Sequence, residues 1–314
     1  MTDASNTNPY PQQHLRGWRL LAATALALIA FAANSILCRA ALDDGADAIG
    51  FTLVRVLAGG ITLMVLVASR WRLALALFDP YAVAALCVYM FGFALAYRAL
   101  DTGLGALLLF GTVQLTMFAA AVLGGERIRP RALFGAIAAF AGLVGLVWPT
   151  QGSAEQTAAL GAAGSMVAAG VGWGLYSLRG RGARDPLLAT AANFLYAAPV
   201  AVLAAFYAGI TQNLSGAGIE GLLPGGRQLV LALASGALAS GLGYALWYRV
   251  LPDLRVAQAA TVQVLVPAVA AWGGVLFVDE TITLALLLWG SLILSGVALV
   301  MWPASARTTG RASD

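Results

Sequence analysis

Charge is the first thing the sequence lacks. Only 10% of its 314 residues are Asp, Glu, Lys or Arg, against about a quarter in a soluble domain. That leaves too little polar surface to cover a water-soluble globule. There is no Lys, a single His (His14) and two Cys, Cys38 and Cys87. So few ligating side chains exclude a metal-binding spacing and a disulfide framework, and both Cys read as small hydrophobes inside apolar runs. Also missing are H-E-x-x-H, G-x-S-x-G and a pair of Asp within an apolar run, the patterns a membrane-embedded enzyme would carry. No Asp or Glu falls at the middle of any apolar run, which argues against a proton-carrying carboxylate and against strongly cationic substrates.

What is there is apolar: 61% of the chain is hydrophobic and mean hydropathy is +0.84. The apolar residues form ten blocks at 18–38, 48–69, 80–98, 103–123, 131–149, 158–177, 187–209, 228–248, 255–278 and 282–302. Each is close to the roughly 20 residues that cross a bilayer as a helix. None alternates as a barrel strand would, and lipid leaves bare backbone groups no other option than a helix. Arg16 and Arg19, followed by an apolar run, suggest a secretory signal. Its length, and the nine blocks that follow, favour a first membrane helix.

All 18 basic residues are Arg. With the N-terminus placed in the cytoplasm, fourteen lie on the inner side, Arg39, Arg98 and Arg227 lie outside, and Arg55 lies within a block. The positive-inside rule then puts both termini in the cytoplasm of an inner-membrane protein. The pI near 9.3 reflects that topology and implies no nucleic-acid partner. Residues 1–15 read as a disordered tail and 304–314 as a short cytoplasmic one.

The two halves repeat. Tyr97-Arg98-Ala99-Leu100, Gly125-Glu126-Arg127-Ile128 and Trp148-Pro149 are echoed in order by Tyr248-Arg249-Val250-Leu251, Asp279-Glu280-Thr281-Ile282 and Trp302-Pro303. The fold expected is therefore an all-α integral membrane protein of ten transmembrane helices in a 5+5 inverted-topology repeat. Residues 16–150 and 158–303 form the halves, joined by a polar linker at 151–157. Inverted repeats suit secondary transporters, whose halves exchange conformations around a midplane site.

This pattern resembles the drug/metabolite transporter superfamily, and within it the EamA-type permeases. The further echoes are Arg55 in Leu53-Val54-Arg55-Val56-Leu57-Ala58, Gly172-Trp173-Gly174, and Pro267 thirteen residues before Glu280. The resemblance covers nearly the whole chain and implies transport of amino acids, related metabolites or drugs; some members resemble exporters of aromatic amino acids, and nothing in this sequence singles out that branch. Val113 stands where the second half has Pro267, so the two midplane sites are not equivalent. The small multidrug exporters, which resemble the same superfamily, rely on a Glu in the first helix that this sequence lacks.

Arg55 has two readings: a cavity cation that meets a substrate carboxylate, or a side chain that snorkels outward or pairs with Asp101 or Asp279. The remaining candidate substrate-binding residues are polar or aromatic positions within blocks: Gln114, Asn34, Tyr89, Trp173, Tyr176, Asn193, Tyr244, Trp247 and Gln263. Gln114 stands foremost because it is mid-span. Trp173 and Tyr176, like Tyr244 and Trp247, share a helix face. Aromatic walls with a few amides suit a neutral or zwitterionic organic molecule; the bland alternative is an interfacial belt or interhelical hydrogen bonding. Glu126 and Glu280 are expected to cap the helices that follow them. Small residues such as Gly135, Ser235 and Ser240 are expected to let helices approach, and Pro199 and Pro267 to kink them.

The sequence thus points to a permease or exporter of small metabolites such as amino acids, working by alternating access without cofactor or metal, with a monomer sufficient. An exchanger of phosphorylated or nucleotide-linked metabolites would need clustered cations. A drug exporter is a further alternative, and an intramembrane enzyme the remote one.

Overall fold

The computed structural model describes residues 15–125, 129–147, 154–181, 183–214, 222–254 and 262–301. Among them every regular element is helical. The first stretch gives α1 (Trp18–Asp43), α2 (Ala48–Leu66), a short α3 (Trp71–Ala76), α4 (Pro80–Ala96) and α5 (Thr102–Leu123). α6 (Pro130–Val147), α7 (Ala154–Arg181) and α8 (Pro186–Leu214) follow. α9 (Gly226–Ala234) continues through a π-helical stretch, Ser235–Leu242, into α10 (Gly243–Val250). α11 (Val266–Phe277) and α12 (Leu284–Met301) end the bundle.

Local chemistry sets several starts. The Asp47 carboxylate accepts the N–H groups of Ile49 and Gly50 at 2.8 and 3.0 Å, and Asp79 accepts those of Tyr81 and Ala82 at 3.1 Å, ahead of Pro80. These acceptors satisfy N–H groups that have no intrahelical partner. Pro199 lies inside the continuous helix α8. The chain turns at Val264–Leu265, and Pro267 occupies the first turn of α11, where its missing N–H is tolerated.

By length and apolar character, α1, α2, α5, α7 from Ala158, α8 and the run Gly226–Asp253 each suffice to cross a membrane. α4 meets the requirement together with Ala68–Ala76, from which it departs at 108°, and Pro130–Leu146, Val266–Phe277 and Leu284–Val300 are shorter apolar helices. Large apolar side chains such as Leu21, Val65, Phe134, Phe206, Leu214 and Leu288 face outward, while Asn34, Thr52, Arg55, Thr190, Asn193, Ser235 and Ser240 are buried. A soluble monomer rarely exposes so much contiguous apolar surface; a lipid-facing bundle does.

Packing follows a reciprocal pattern. α7 lies along α4 and α5, as α1 lies along α9–α10 and α11; α2 packs on α8, α5 on α11 and α6 on α12. Small residues make the close approaches: a Cβ on Gly135 of α6 would come within 2.5 Å of the Gly296 carbonyl of α12.

Polar clasps close both ends of the bundle. At one end Arg227 holds Asp44 at 2.6 Å, and Glu280 accepts the Thr102 N–H at 2.8 Å and its hydroxyl at 2.8 Å. At the other, Arg179 meets Asp79 at 2.8 Å and Arg70 meets Asp185. Burial alone would push the Asp79 carboxyl up, but the Arg179 hydrogen bond and the capped N–H groups outweigh it, so it titrates below its ordinary value.

Glu280 caps a helix, though not the one that follows it in sequence. α12 is capped by Thr283, whose hydroxyl accepts the Leu286 N–H at 3.1 Å. The reason lies at the end of α11. Asp279 takes a left-handed conformation, φ 55°, after Val278 and Glu280 both donate to the Gly274 carbonyl. Such a stop turns the chain sharply and aims Glu280 at the N-terminus of α5. Glu126, its repeat counterpart, lies outside the described residues, as do Trp148 and Trp302.

Candidate functional site: an arginine in an aromatic box

α2 carries Arg55 into the middle of the bundle, about 10 Å from its first residue at 1.5 Å per residue. The side chain is 0% exposed. Its Nε donates to Ser240 Oγ at 3.2 Å, and one terminal nitrogen, Nη2, donates to the Tyr89 hydroxyl at 2.9 Å. The other, Nη1, is buried with no partner. The guanidinium lies 4.8 Å from the Phe93 ring centre and 5.4 Å from that of Tyr89, and desolvated cation–π contacts of this kind contribute about 2 kcal/mol. Neither snorkelling nor a pair with Asp101 or Asp279 accounts for Arg55. Among the described residues no carboxylate lies within ion-pair distance of it.

Elements from both halves of the chain build the surroundings. Asn34 of α1 accepts, through Oδ1, the hydroxyls of Ser235 at 2.9 Å and Ser240 at 3.2 Å. In an α-helix residues five apart are about 140° out of register; i→i+5 bonding of the π-helical stretch brings both serines to one acceptor, and such stretches recur at functional sites. The approach is tight: a Cβ on Gly236 would come within 2.5 Å of the Arg55 carbonyl. Tyr244 of α10 donates to Tyr89 Oη at 3.5 Å. Trp173 of α7 closes the box, its ring 4.9 Å from Tyr89 and 5.2 Å from Tyr244. Phe31 packs edge-on against Trp173, Tyr244 and Trp247.

Five of the residues expected from sequence therefore converge: Arg55, Asn34, Tyr89, Trp173 and Tyr244. Tyr176 and Asn193 form the neighbouring layer. Tyr176 stacks on Trp173 at 5.5 Å, donates to Thr190 Oγ1 at 3.2 Å and accepts from Asn193 Nδ2 at 3.4 Å. Gln114 and Gln263 do not reach Arg55. With Ser177, Arg181 and Trp247 they line a separate cavity of about 60 Å³ that Trp173 also borders. Ser235, Ser240, Phe31 and Phe93 belong to the box although sequence reasoning assigns them no site role. Two hydroxyls five residues apart in a Gly- and Ala-rich run are the available signal for the serines.

A buried, partly unsatisfied cation on a crossing helix marks a candidate ligand site by default, and a multi-pass helical bundle built around one has the form of a membrane transporter. The comparisons agree. The model of the EamA-like transporter family matches residues 158–302. An uncharacterized protein of Pseudomonas aeruginosa is 44% identical over 293 residues, covering 92% of this chain and 96% of its own. A solved crystal structure superposes with a TM-score of 0.58 at 19% identity, over 88% of this chain and 95% of its own; at that identity the likeness speaks for the fold alone. The chain belongs to the EamA-like transporter family, as a multi-pass membrane permease for small molecules.

Proposed function

We propose that the protein is a secondary transporter that carries small organic metabolites, amino acids among them, across the inner membrane by alternating access. It does so as ten spans in a 5+5 inverted repeat with both termini in the cytoplasm. The reciprocal packing of α7 on α4 and α5 and of α1 on α9–α10 and α11 supports the repeat. The observation that carries the function is Arg55: a buried cation with an unpartnered N–H, held by α2 and α4 of one half and by Ser240 of the other. In this family's expected architecture that is the midplane interface where transporters bind cargo.

A substrate carboxylate would take the free Nη1 donor, and the rings of Trp173, Tyr244 and Phe31 would enclose the body. The cavity at Gln114 and Gln263, on the Arg181 side, serves as the inner vestibule, with Trp173 as the layer between vestibule and box. The Glu280 and Asp185 clasps would open in turn. Phosphorylated cargo is disfavoured, because Arg55 is the one charged side chain in the buried set among the described residues.

Counterflow in proteoliposomes tests this. Vesicles loaded with pooled amino acids and small organic acids should accumulate labelled cargo saturably with wild-type protein and not with Arg55→Gln. Absence of exchange for every pool, from protein shown to be folded, would overturn the carrier reading.

A further inference from the structure

We infer that the box reads a carboxylate and not an amine, so that its preferred cargo is an organic monoanion with an apolar or aromatic body. This rests on the carrier reading above and sharpens it.

Hydrogen-bonding capacity around Arg55 is one-sided. Asn34 Oδ1 already accepts two hydrogen bonds, from Ser235 and Ser240, which fills both carbonyl lone pairs. Tyr89 Oη accepts from Arg55 and from Tyr244. The strongest neutral acceptor near the guanidinium, the Asn34 carbonyl, is thus in use, while a charged donor, Arg55 Nη1, is left over. An ammonium offers only donors and finds there no carboxylate among the described residues, only hydroxyl lone pairs such as those of Ser240 and Tyr244, beside a like charge. A carboxylate offers only acceptors and can engage Arg in a paired, charge-assisted contact.

Charge points the same way. Asn34, Ser235, Ser240, Thr190, Asn193 and their buried neighbours are neutral, and Arg55 supplies the one formal charge in that set. A zwitterion bound beside it leaves the interior with a net positive charge, which a low-dielectric core opposes. A monoanion leaves the loaded box neutral. The Phe93 and Tyr89 rings already carry the guanidinium, which leaves the faces of Trp173, Tyr244 and Phe31 to the body of the bound molecule.

Three probes of one shape separate the possibilities: 3-phenylpropionate, phenylalanine and phenethylamine. Each is titrated into full-length protein in detergent, followed by tryptophan fluorescence, and each competes in proteoliposome counterflow. The expected result is that 3-phenylpropionate binds about tenfold tighter than phenylalanine and that phenethylamine does not bind. Arg55→Met should lose that preference without a lower melting temperature, and Arg55→Lys should keep part of it. Tighter binding of phenylalanine, binding of the amine, unaltered affinity in Arg55→Met, or no binding of any probe overturns the inference. Carboxylate binding without vesicle exchange would uphold the inference and sink the carrier reading. Phenylalanine exchange without carboxylate binding would do the reverse.

Discussion

Arg39 and Arg55 lie in neighbouring helices, and their surroundings differ in kind. Arg39 faces Glu280 at 3.5 Å and Asp43 at 3.5 Å and donates to the Tyr97 carbonyl at 3.2 Å. Glu280 in turn caps α5 through Thr102. That guanidinium is neutralised by the protein itself and ties one end of the bundle shut. Both keep one nitrogen without a hydrogen bond, Arg39 Nε and Arg55 Nη1, but Arg55 is buried deeper and faces hydroxyls and rings in place of carboxylates. An internally paired charge stabilises the fold; a charge that the fold leaves unpaired is stabilised by what it binds.

Removing each charge should therefore break different properties. The largest effect is expected for Arg55→Gln in counterflow. Loss of a paired, charge-assisted contact of about 3 kcal/mol slows exchange on the order of a hundredfold, with little change in yield of folded protein. Next comes Glu280→Ala, which takes from Arg39 the more buried of its two carboxylates and uncaps α5. Thermal or denaturant unfolding should show a loss of about 2–3 kcal/mol, while the affinity of folded protein for substrate stays within a fewfold of wild type. Ser240→Ala removes the acceptor of Arg55 Nε and one of the two donors to Asn34. A loss of about 1 kcal/mol in stability and a drop of about threefold to tenfold in affinity are expected from the same titrations.

The smallest effect belongs to the exposed clasp of Asp79 and Arg179. Because the Asp79 carboxyl titrates below its ordinary value in the folded protein, its contribution is present above the unfolded value and fades as pH falls through the folded one. Asp79→Asn, which can still cap α4, should cost less than about 1 kcal/mol near neutral pH. Melting curves of variant and wild type should converge under strongly acidic conditions, below pH of about 4.

Much of this is legible from residues alone, because a bilayer makes helix the sole answer to a long apolar run. Polar and aromatic intruders in those runs are few, so Arg55, Asn34, Tyr89, Trp173 and Tyr244 stand out by residue type and position. Their convergence is not legible: they sit on α1, α2, α4, α7 and α10, and helix rotation decides which intruders meet. Gln114 illustrates this, since its mid-span position places it beside Gln263 in a separate small cavity and away from Arg55. Ser235 and Ser240 are hidden by their size, as packing residues in a Gly- and Ala-rich run, and only the π-helical stretch aligns them on Asn34. Glu280 looks like the cap of its own helix because sequence adjacency cannot show that a left-handed Asp279 redirects it to α5.

The most direct measurement is a melting series on wild type and Arg55→Met, each with and without saturating 3-phenylpropionate. Wild type is expected to melt higher with the carboxylate, while Arg55→Met begins as stable as wild type or more so and does not move. An Arg55→Met protein that begins several degrees lower and still rises with the carboxylate would contradict it, leaving Arg55 as a structural cation and placing the cargo elsewhere.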